Sequence, residues 1–355
     1  MKIYCKHLQI YKVYVKTVMG VRCMNGYEII YRNVKFKDPE RIGLRYTSLG
    51  EGDVYRIYPQ KPRSLREDNE KVDMAKKWKI NDGVDEWGVV WEKGLSVGAP
   101  IEDIEEDLEG YIFPDAESEG RFDGIDEVLS RPEAQGKWIQ FNSPYCLFER
   151  LHQVLGFENT LMALYTDKEA VCEILDKLLE YQIKMVRQAA EFGKGRIHCF
   201  DTTDDWGTQE NLMISPELWR EVFKPRYKIL IDEIHKNNMT LRFHTDGNVS
   251  QIMDDIVELG FDIINIHQPT LFDIKEFGQK YAGKICFEVS VDIQKTLPTG
   301  DKNKIEQEVK DLIKYWATPH GGLIGCEYRY LDEIGVKKED MVYGYECFKK
   351  YGKLK

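Results

Sequence analysis

The C-terminal half of the chain alternates between short apolar segments with strand-like spacing and longer segments with helical spacing. The strand-like segments cover residues 196–201, 239–246, 262–269, 284–292 and 321–328. The clearest helical patterns cover residues 215–237, 248–259 and 305–316. Strands that alternate with helices in this way build β–α–β units, in which the strands are parallel. The sequence therefore predicts a parallel sheet flanked by helices.

Polar side chains gather where these predicted strands end. They are Asp201, His244, Asp246, Asn265, His267, Glu288, Ser290, Asp292, Cys326 and Glu327. In a (β/α)8 barrel of the TIM type, the chemistry lies at the C-terminal ends of the strands. A chain of 355 residues is long enough for such a barrel to form a single domain. We therefore predict an α/β fold of this type with one shared site.

Composition limits the partners of the chain. The net charge of −11 argues against binding to nucleic acid or to an anionic membrane, because no basic segment offsets it. The eight cysteines include no Cys-x-x-Cys pair, so the sequence indicates neither a disulfide framework nor a zinc ribbon. No apolar segment is long enough for a signal peptide or a membrane span. We expect a soluble, cytoplasmic protein.

The N-terminal part of the chain is less regular. Residues 41–46 and 137–142 are predicted strands, and residues 84–92 are typical of a hairpin arm with two tryptophans. The acidic segment 101–119 is predicted to be a surface connector, because a run of charges is usually solvated. A long helix is predicted over residues 166–192, where apolar residues recur at helical spacing.

His244 and Asp246 form the most informative pair of residues. Alternate residues of a strand share a face, so both side chains point the same way at the carboxyl end of a buried strand. This arrangement suits a divalent metal ion or an acid/base pair. The alternative is a core histidine held by a neighbouring carboxylate. The polar ends of the other predicted strands favour a functional site.

Three aspartates lie close before Trp206, namely Asp201, Asp204 and Asp205. Aspartate is common at turns, so these residues can equally be caps. Because the segment lies where a barrel would open, we assign Asp201 to substrate binding. Asp204 and Asp205 are predicted to be catalytic, as groups that orient the substrate or transfer a proton.

Aromatic residues near the predicted strand ends are candidates for a substrate pocket. They are Trp87, Tyr145, Trp206 and Tyr328. Each of them can instead belong to the core, where aromatic rings often pack. We predict a pocket lined by these rings beside the polar site.

Several short motifs follow one another from residue 38 onwards. They cover residues 38–42, 84–88, 156–159, 161–162, 204–209, 213–216, 223–227, 244–248, 297–300 and 321–322. In this order and spacing, the chain resembles the uroporphyrinogen decarboxylase-like superfamily, which contains porphyrinogen decarboxylases and cobalamin-dependent methyltransferases. The resemblance covers about residues 38 to 345. It implies one barrel domain over residues 38–355, preceded by an N-terminal extension of residues 1–37.

The decarboxylase branch of this superfamily has an arginine-bearing loop of the form Arg-Gln-Ala-Gly-Arg-Tyr, which holds substrate carboxylates. Arg63 and Arg66 lie in a predicted loop, but the rest of that pattern is missing. A substrate with many carboxylates needs fixed cationic partners. The missing loop therefore argues against porphyrinogen decarboxylation.

The chain resembles the methyltransferase branch more closely. Thiol-methylating members bind zinc through a His-x-Cys motif and a second cysteine on the last strand, whereas this chain has Asp246 in the place of the first cysteine. Aspartate gives a harder, more Lewis-acidic zinc site than thiolate. Members that demethylate methyl ethers are similar in using oxygen and nitrogen ligands. The resemblance implies a metal site formed by His244, Asp246, Glu288 and Cys326, with His267 as a reserve ligand or a catalytic group.

The function implied by the resemblance is transfer of a methyl group from a small methylated ether, amine or thiol to a corrinoid. The chain shows no cobalamin-binding segment of its own, so a partner protein would carry the corrinoid. Two alternatives remain open at this point: decarboxylation of a porphyrinogen or a smaller pyrrole acid, and a non-catalytic barrel that binds a ligand. Whether the chain forms a homodimer also remains open.

Overall fold

The structure, a computed structural model, describes residues 23–67, 70–78 and 82–354. Most of the predicted N-terminal extension, residues 1–22, lies outside the described residues. The strands are β1 (Gly43–Tyr46), β2 (Glu51–Gly52), β3 (Val54–Ile57), β4 (Gly83–Val84), β5 (Val90–Glu92), β6 (Leu95–Gly98), β7 (Trp138–Asn142), β8 (Cys199–Thr203), β9 (Thr240–His244), β10 (Ile263–Ile266), β11 (Cys286–Val289) and β12 (Leu323–Cys326).

The helices lie mainly between the later strands. They are α1 (Gly26–Val34), α2 (Ile104–Asp107), α3 (Ile125–Ser130), α4 (Phe148–Leu155), α5 (Phe157–Thr166), α6 (Lys168–Gly193), α7 (Pro216–Val222), α8 (Lys224–Lys236), α9 (Met253–Leu259), α10 (Ile274–Tyr281), α11 (Lys302–Trp316) and α12 (Lys338–Tyr351). The predicted alternation of strand and helix is therefore present from β7 to the C-terminus.

The main sheet is a nearly closed barrel. Among the described residues it has nine strands, in the order β2-β1-β12-β11-β10-β9-β8-β7-β3. Each ladder from β1 round to β3 is parallel, and β2 alone pairs antiparallel, with β1. Asp53, which lies between β2 and β3, links the two edges of this sheet. Its N–H donates to Leu44 O on β1 (2.7 Å), and its carboxylate accepts from Leu44 N (2.9 Å). The predicted TIM-type α/β fold is confirmed.

Helix α1 covers the N-terminal ends of the strands. Asn25 and Glu28 form a capping box at its start, which satisfies backbone N–H groups that no helical carbonyl can reach. Two residues of α1 pack in a buried apolar cluster with residues that begin several barrel strands, and the cluster contains Ile30, Val34, Val54, Trp138, Cys199, Ile263, Cys286 and Ile324. The barrel therefore opens at its C-terminal end.

Several predicted elements differ from the structure in their bounds, and the helix predicted over residues 248–259 begins only at Met253. The predicted helix 215–237 is two helices, α7 and α8, which meet at Phe223. Pro225 explains the break, since proline is accommodated in the first turn of a helix and not in its interior. The predicted strand 196–201 is displaced, because β8 ends at Thr203. Asp204 and Asp205 consequently follow the strand end directly.

Candidate metal centre

Three side chains meet above the C-terminal ends of β8 and β9. Asp205, His244 and Asp246 each offer a ligand atom, and these atoms all lie within 4.8 Å of one another. His244 Nε2 is 3.6 Å from Asp205 Oδ1 and 3.6 Å from Asp246 Oδ2. We call these three residues the acidic cluster.

A close contact between two glycines holds the loops that carry this cluster. Gly207 follows β8, Gly247 follows β9, and a Cβ atom added to Gly247 would lie 2.1 Å from Gly207 O. Gly247 also has a φ of +80°, which residues with a side chain rarely adopt. The Gly207 N–H donates to Asp246 O (3.1 Å), and the Asp246 N–H donates to Asp205 Oδ1 (2.8 Å). The glycines of the motifs at residues 204–209 and 244–248 thus hold the carboxylates of Asp205 and Asp246 beside His244.

Asn265 on β10 orients the imidazole of His244. Its Nδ2 donates to Glu288 O (2.9 Å) and to Cys326 Sγ (3.5 Å), so its Oδ1 is the atom that faces His244 Nδ1 at 2.8 Å. An amide oxygen only accepts, and His244 Nδ1 therefore carries the donated proton. This leaves Nε2 directed at the two carboxylates, an arrangement common for histidines that bind metal ions.

The electrostatics of the cluster favour a positive charge between the two carboxylates. Burial opposes protonation of His244, but the carboxylates of Asp246 and Asp205 raise its pKa to about 9. Burial also opposes ionisation of Asp246, but His244 lowers the pKa of Asp246 to about 2. Asp246 Oδ1 is buried and has no hydrogen-bond partner among the described residues. Two carboxylates and one imidazole are a donor set that fits zinc or another divalent metal ion.

The cluster lies on the wall of a cavity of about 270 Å³ at the open end of the barrel. We call this the mouth cavity, and Tyr145, Glu149, His267 and Tyr328 also line it. Tyr145 has a φ of +59°, an uncommon conformation for a residue other than glycine that is often found at functional sites. His267 is neutral, because burial and the nearby His244 lower its pKa to about 3.

The sequence did not indicate Glu149 as a site residue, because its position on a helix carries no local motif. Its Oε2 accepts a hydrogen bond from Thr203 Oγ1. Burial, together with the charge of Asp205, holds the pKa of Glu149 well above its usual range. A carboxyl group whose pKa is raised by burial and by Asp205 therefore lines the mouth cavity beside the acidic cluster.

Below the cluster, the barrel interior contains a network of buried ions, which we call the ion-pair layer: Arg45, Arg56, Asp201, Arg242 and Glu288. Arg242 donates to Asp201 Oδ1 (2.7 Å) and, through two nitrogens, to Glu288 Oε1 (2.7 and 3.0 Å). Arg45 also donates to Glu288 Oε1 (2.8 Å), and Arg56 donates to Asp201 Oδ2 (2.8 Å).

This network corrects two predicted roles. Glu288 is not placed to bind a metal ion, because the two guanidinium groups on its carboxylate repel a second cation. Asp201 is fully buried and bonded to arginines, so it balances their charge and does not bind substrate. Both residues are held in the barrel interior beneath the acidic cluster.

Three further predictions are corrected by local contacts. Asp204 caps helix α4, since its carboxylate accepts from Leu147 N (2.9 Å) and Glu149 N (2.8 Å). Trp206 is fully buried and donates to Tyr227 Oη (3.0 Å), which makes it a core residue. Cys326 lies outside the acidic cluster, and burial raises the pKa of its thiol to about 12.

The other predicted site residues lie on cavity walls. Tyr145 and Tyr328 line the mouth cavity. Trp87 lines a second pocket beside it, to which Tyr145 also contributes. Asp205, predicted to be catalytic, belongs to the acidic cluster with His244 and Asp246.

Fold and site together define a TIM-type barrel protein with a candidate metal centre at the C-terminal ends of its strands. The family model described as uroporphyrinogen decarboxylase (URO-D) matches residues 142–328, more than half of the chain. The chain belongs to the uroporphyrinogen decarboxylase family. No curated protein matches the sequence.

The chain is similar to solved structures at low sequence identity. A methyltransferase from Methanosarcina mazei is similar with a TM-score of 0.55 and 15% identity, over 72% of each chain. A glycosylated endo-beta-1,4-xylanase from Gloeophyllum trabeum has a TM-score of 0.40 and 10% identity, over 64% of this chain and 80% of its own. At 15% identity, the likeness to the methyltransferase shows the fold alone. Within the described part of the chain, no helix has the length and apolar character needed to cross a membrane.

Proposed function

We propose that the protein is a metal-assisted methyltransferase, with zinc held by Asp205, His244 and Asp246. It transfers a methyl group from a small methylated ether, amine or thiol to a corrinoid carried by a partner protein. The observation that carries this proposal is the acidic cluster, in which buried Asp246 Oδ1 has no hydrogen-bond partner among the described residues. Family membership and the similarity to a methyltransferase fold support it.

The donor set favours an oxygen or nitrogen leaving group. When bound, zinc supplies Lewis acidity that stabilises negative charge on the leaving heteroatom. Asp205 and Asp246 are hard oxygen donors, and they make this acidity stronger than two thiolates would. We therefore rank methyl ethers above thioethers as substrates.

The residues around the cluster have separate roles in this proposal. His244 keeps Nε2 directed into the cluster because Asn265 fixes Nδ1. Glu149, which lines the mouth cavity, donates a proton to the leaving heteroatom, whereas the sequence predicted Asp204 and Asp205 as the groups that orient the substrate or transfer a proton. Tyr145 and Tyr328 form walls of that cavity and restrict the position of the substrate.

The direct test uses free cob(I)alamin as the methyl acceptor and follows methylcobalamin by its visible spectrum. Methoxybenzene, dimethylamine and dimethyl sulfide represent the three substrate classes. We expect turnover with zinc-loaded protein, loss after treatment with a chelator, and no turnover in His244→Ala. Absence of methylcobalamin with every substrate, or equal rates in His244→Ala, would contradict the proposal.

A further inference from the structure

A second pocket adjoins the mouth cavity, and we call it the side pocket. Arg150 of α4, Trp87, Trp91 and Tyr181 of α6 line it. The two spaces share wall residues, among them Tyr145. Consecutive residues of α4 serve the two spaces, since Glu149 lines the mouth cavity and Arg150 lines the side pocket. The two spaces are therefore adjacent.

Arg150 is a buried cation with unmet hydrogen-bonding capacity. The residue is 8% exposed, and its Nε and Nη1 are buried without a hydrogen-bond partner among the described residues. Asp85 Oδ2 lies 3.9 Å from Nη1, which is too far for a hydrogen bond. A buried charged donor without an acceptor is unfavourable, so the position is suited to an acceptor supplied by a ligand.

The neighbouring carboxylate of Asp85 is already occupied by other donors. Its Oδ1 accepts from Trp87 N (2.8 Å) and Val89 N (3.0 Å), and its Oδ2 accepts from Trp91 Nε1 (2.9 Å). These bonds fix the loop that carries Trp87. Asp85 therefore organises the wall of the pocket and leaves the guanidinium of Arg150 available.

The second arginine of the side pocket provides a contrast. Arg121 donates to both carboxylate oxygens of Glu86 (3.2 and 2.7 Å) and to Asp115 O (2.9 Å). Its charge is matched within the protein. Of the two arginines that line this pocket, Arg150 is thus the one whose donors remain without acceptors.

Aromatic rings hold the Arg150 guanidinium in place. Its central carbon lies 4.4 Å from the Trp87 ring centroid and 5.1 Å from the Tyr145 ring centroid, both within the range of cation–π attraction. A guanidinium binds a planar carboxylate through two parallel hydrogen bonds from an edge formed by Nη2 with either Nε or Nη1. Each of these two edges of Arg150 therefore includes one nitrogen without a partner among the described residues. The surrounding rings suit a flat, apolar body attached to that carboxylate.

We propose that Arg150 binds the carboxylate of an aromatic carboxylic acid in the side pocket. The substrate then places its methyl-bearing end in the mouth cavity beside the acidic cluster, and this second statement rests on the proposed function. The preferred methylated substrate is accordingly an anionic aromatic methyl ether, and methoxybenzene, which lacks the carboxylate, should react more slowly. Arg150 selects the substrate and takes no part in the chemical step.

The test compares benzoate with benzamide, which has a similar shape and no charge. Binding is measured by calorimetry on wild type, Arg150→Met and Arg150→Lys. We expect wild type to bind benzoate about 10- to 100-fold more tightly than benzamide, as charge-assisted hydrogen bonds predict. Arg150→Met should bind both compounds equally, and Arg150→Lys should keep only part of the preference because lysine lacks the planar fork.

Equal binding of the two compounds by wild type, or a full preference for benzoate in Arg150→Met, would overturn the proposal. If Arg150→Met does not fold, the wild-type comparison and Arg150→Lys still decide it. His244→Ala separates this proposal from the metal proposal. We expect that variant to lose zinc and to keep the preference for benzoate, whereas loss of the preference in His244→Ala would contradict an independent carboxylate site.

Discussion

The ion-pair layer and the acidic cluster are both built from buried charges, but they differ in how these charges are matched. Asp201 and Glu288 each accept hydrogen bonds from Arg242 at 2.7 Å and from a second arginine. In the cluster, His244 is 3.6 Å from each carboxylate, and Asp246 Oδ1 has no hydrogen-bond partner in the part of the chain that the structure describes.

This difference separates a structural role from a binding role. A buried carboxylate that is paired with two arginines has its charge offset within the protein, and removal of one partner is costly. In the cluster, His244 offsets part of the repulsion between the two carboxylates, and a divalent cation bound between them would offset it more fully. We therefore infer that the ion-pair layer stabilises the barrel and that the acidic cluster gains its full stability only with a metal ion.

The largest expected effect is that of Arg242→Met, which removes the central cation of the ion-pair layer. The change leaves the carboxylates of Asp201 and Glu288 short of one partner each, and we expect the free energy of unfolding to fall by about 3–5 kcal/mol. Urea denaturation measures it. Arg187→Met is the matched control, since the Arg187 side chain is 59% exposed in its pair with Glu233, and its cost should be about 1 kcal/mol or less. Similar losses in both variants would contradict the structural role of the layer.

A smaller effect is expected from single replacements of aspartate by asparagine in the two regions. Asp201→Asn leaves buried arginines without a full counter-charge and should cost about 2–4 kcal/mol of unfolding free energy. Asp205→Asn keeps an acceptor for the Asp246 N–H and removes a carboxylate whose pKa is raised by burial and by Asp246. In metal-free protein this variant should stay within about 0.5 kcal/mol of wild type. An equal loss of stability in both variants would remove the distinction between the two regions.

The smallest expected effect is a difference in acid sensitivity. Burial opposes ionisation of Asp201 and Glu288, but Arg242 and its neighbours lower both pKa values to about 2. Because the unfolded chain binds protons more readily, this stabilisation is complete above the ordinary pKa of about 4 and is lost as the pH falls toward 2. Urea midpoints between pH 5 and pH 3 should fall more steeply in wild type than in Asp201→Asn. If the urea midpoint falls equally with pH in wild type and in Asp201→Asn, the ion-pair layer does not titrate in this way.

The fold was predictable because its signals are local. The alternation of strand and helix and the polar strand ends are visible in short segments, and they indicated a barrel with its site at one end. His244 and Asp246 were found for the same reason, since they are two residues apart on one strand. Asp205 was predicted to be catalytic and not to belong to the candidate metal centre. Nothing in the sequence shows that its loop contacts Gly247 and so brings it beside His244.

The misassigned residues depend on partners far away in the chain. Glu288 pairs with Arg45, which lies 243 residues earlier, and no local pattern reveals that contact. Arg242 gave one local indication of the ion-pair layer. It shares a strand face with His244, and its buried charge requires a partner of opposite charge. Glu149 and Arg150 were missed because a helix position does not show which cavity it faces.

Zinc binding by wild type, His244→Ala and Cys326→Ser is the most direct test of the metal centre. Calorimetry on chelator-treated protein and elemental analysis after reloading give the affinity and the stoichiometry. We predict one zinc per chain in wild type and in Cys326→Ser, because the proposed ligands are Asp205, His244 and Asp246, and no zinc in His244→Ala. Loss of zinc in Cys326→Ser, or its full retention in His244→Ala, would contradict this assignment of the metal centre.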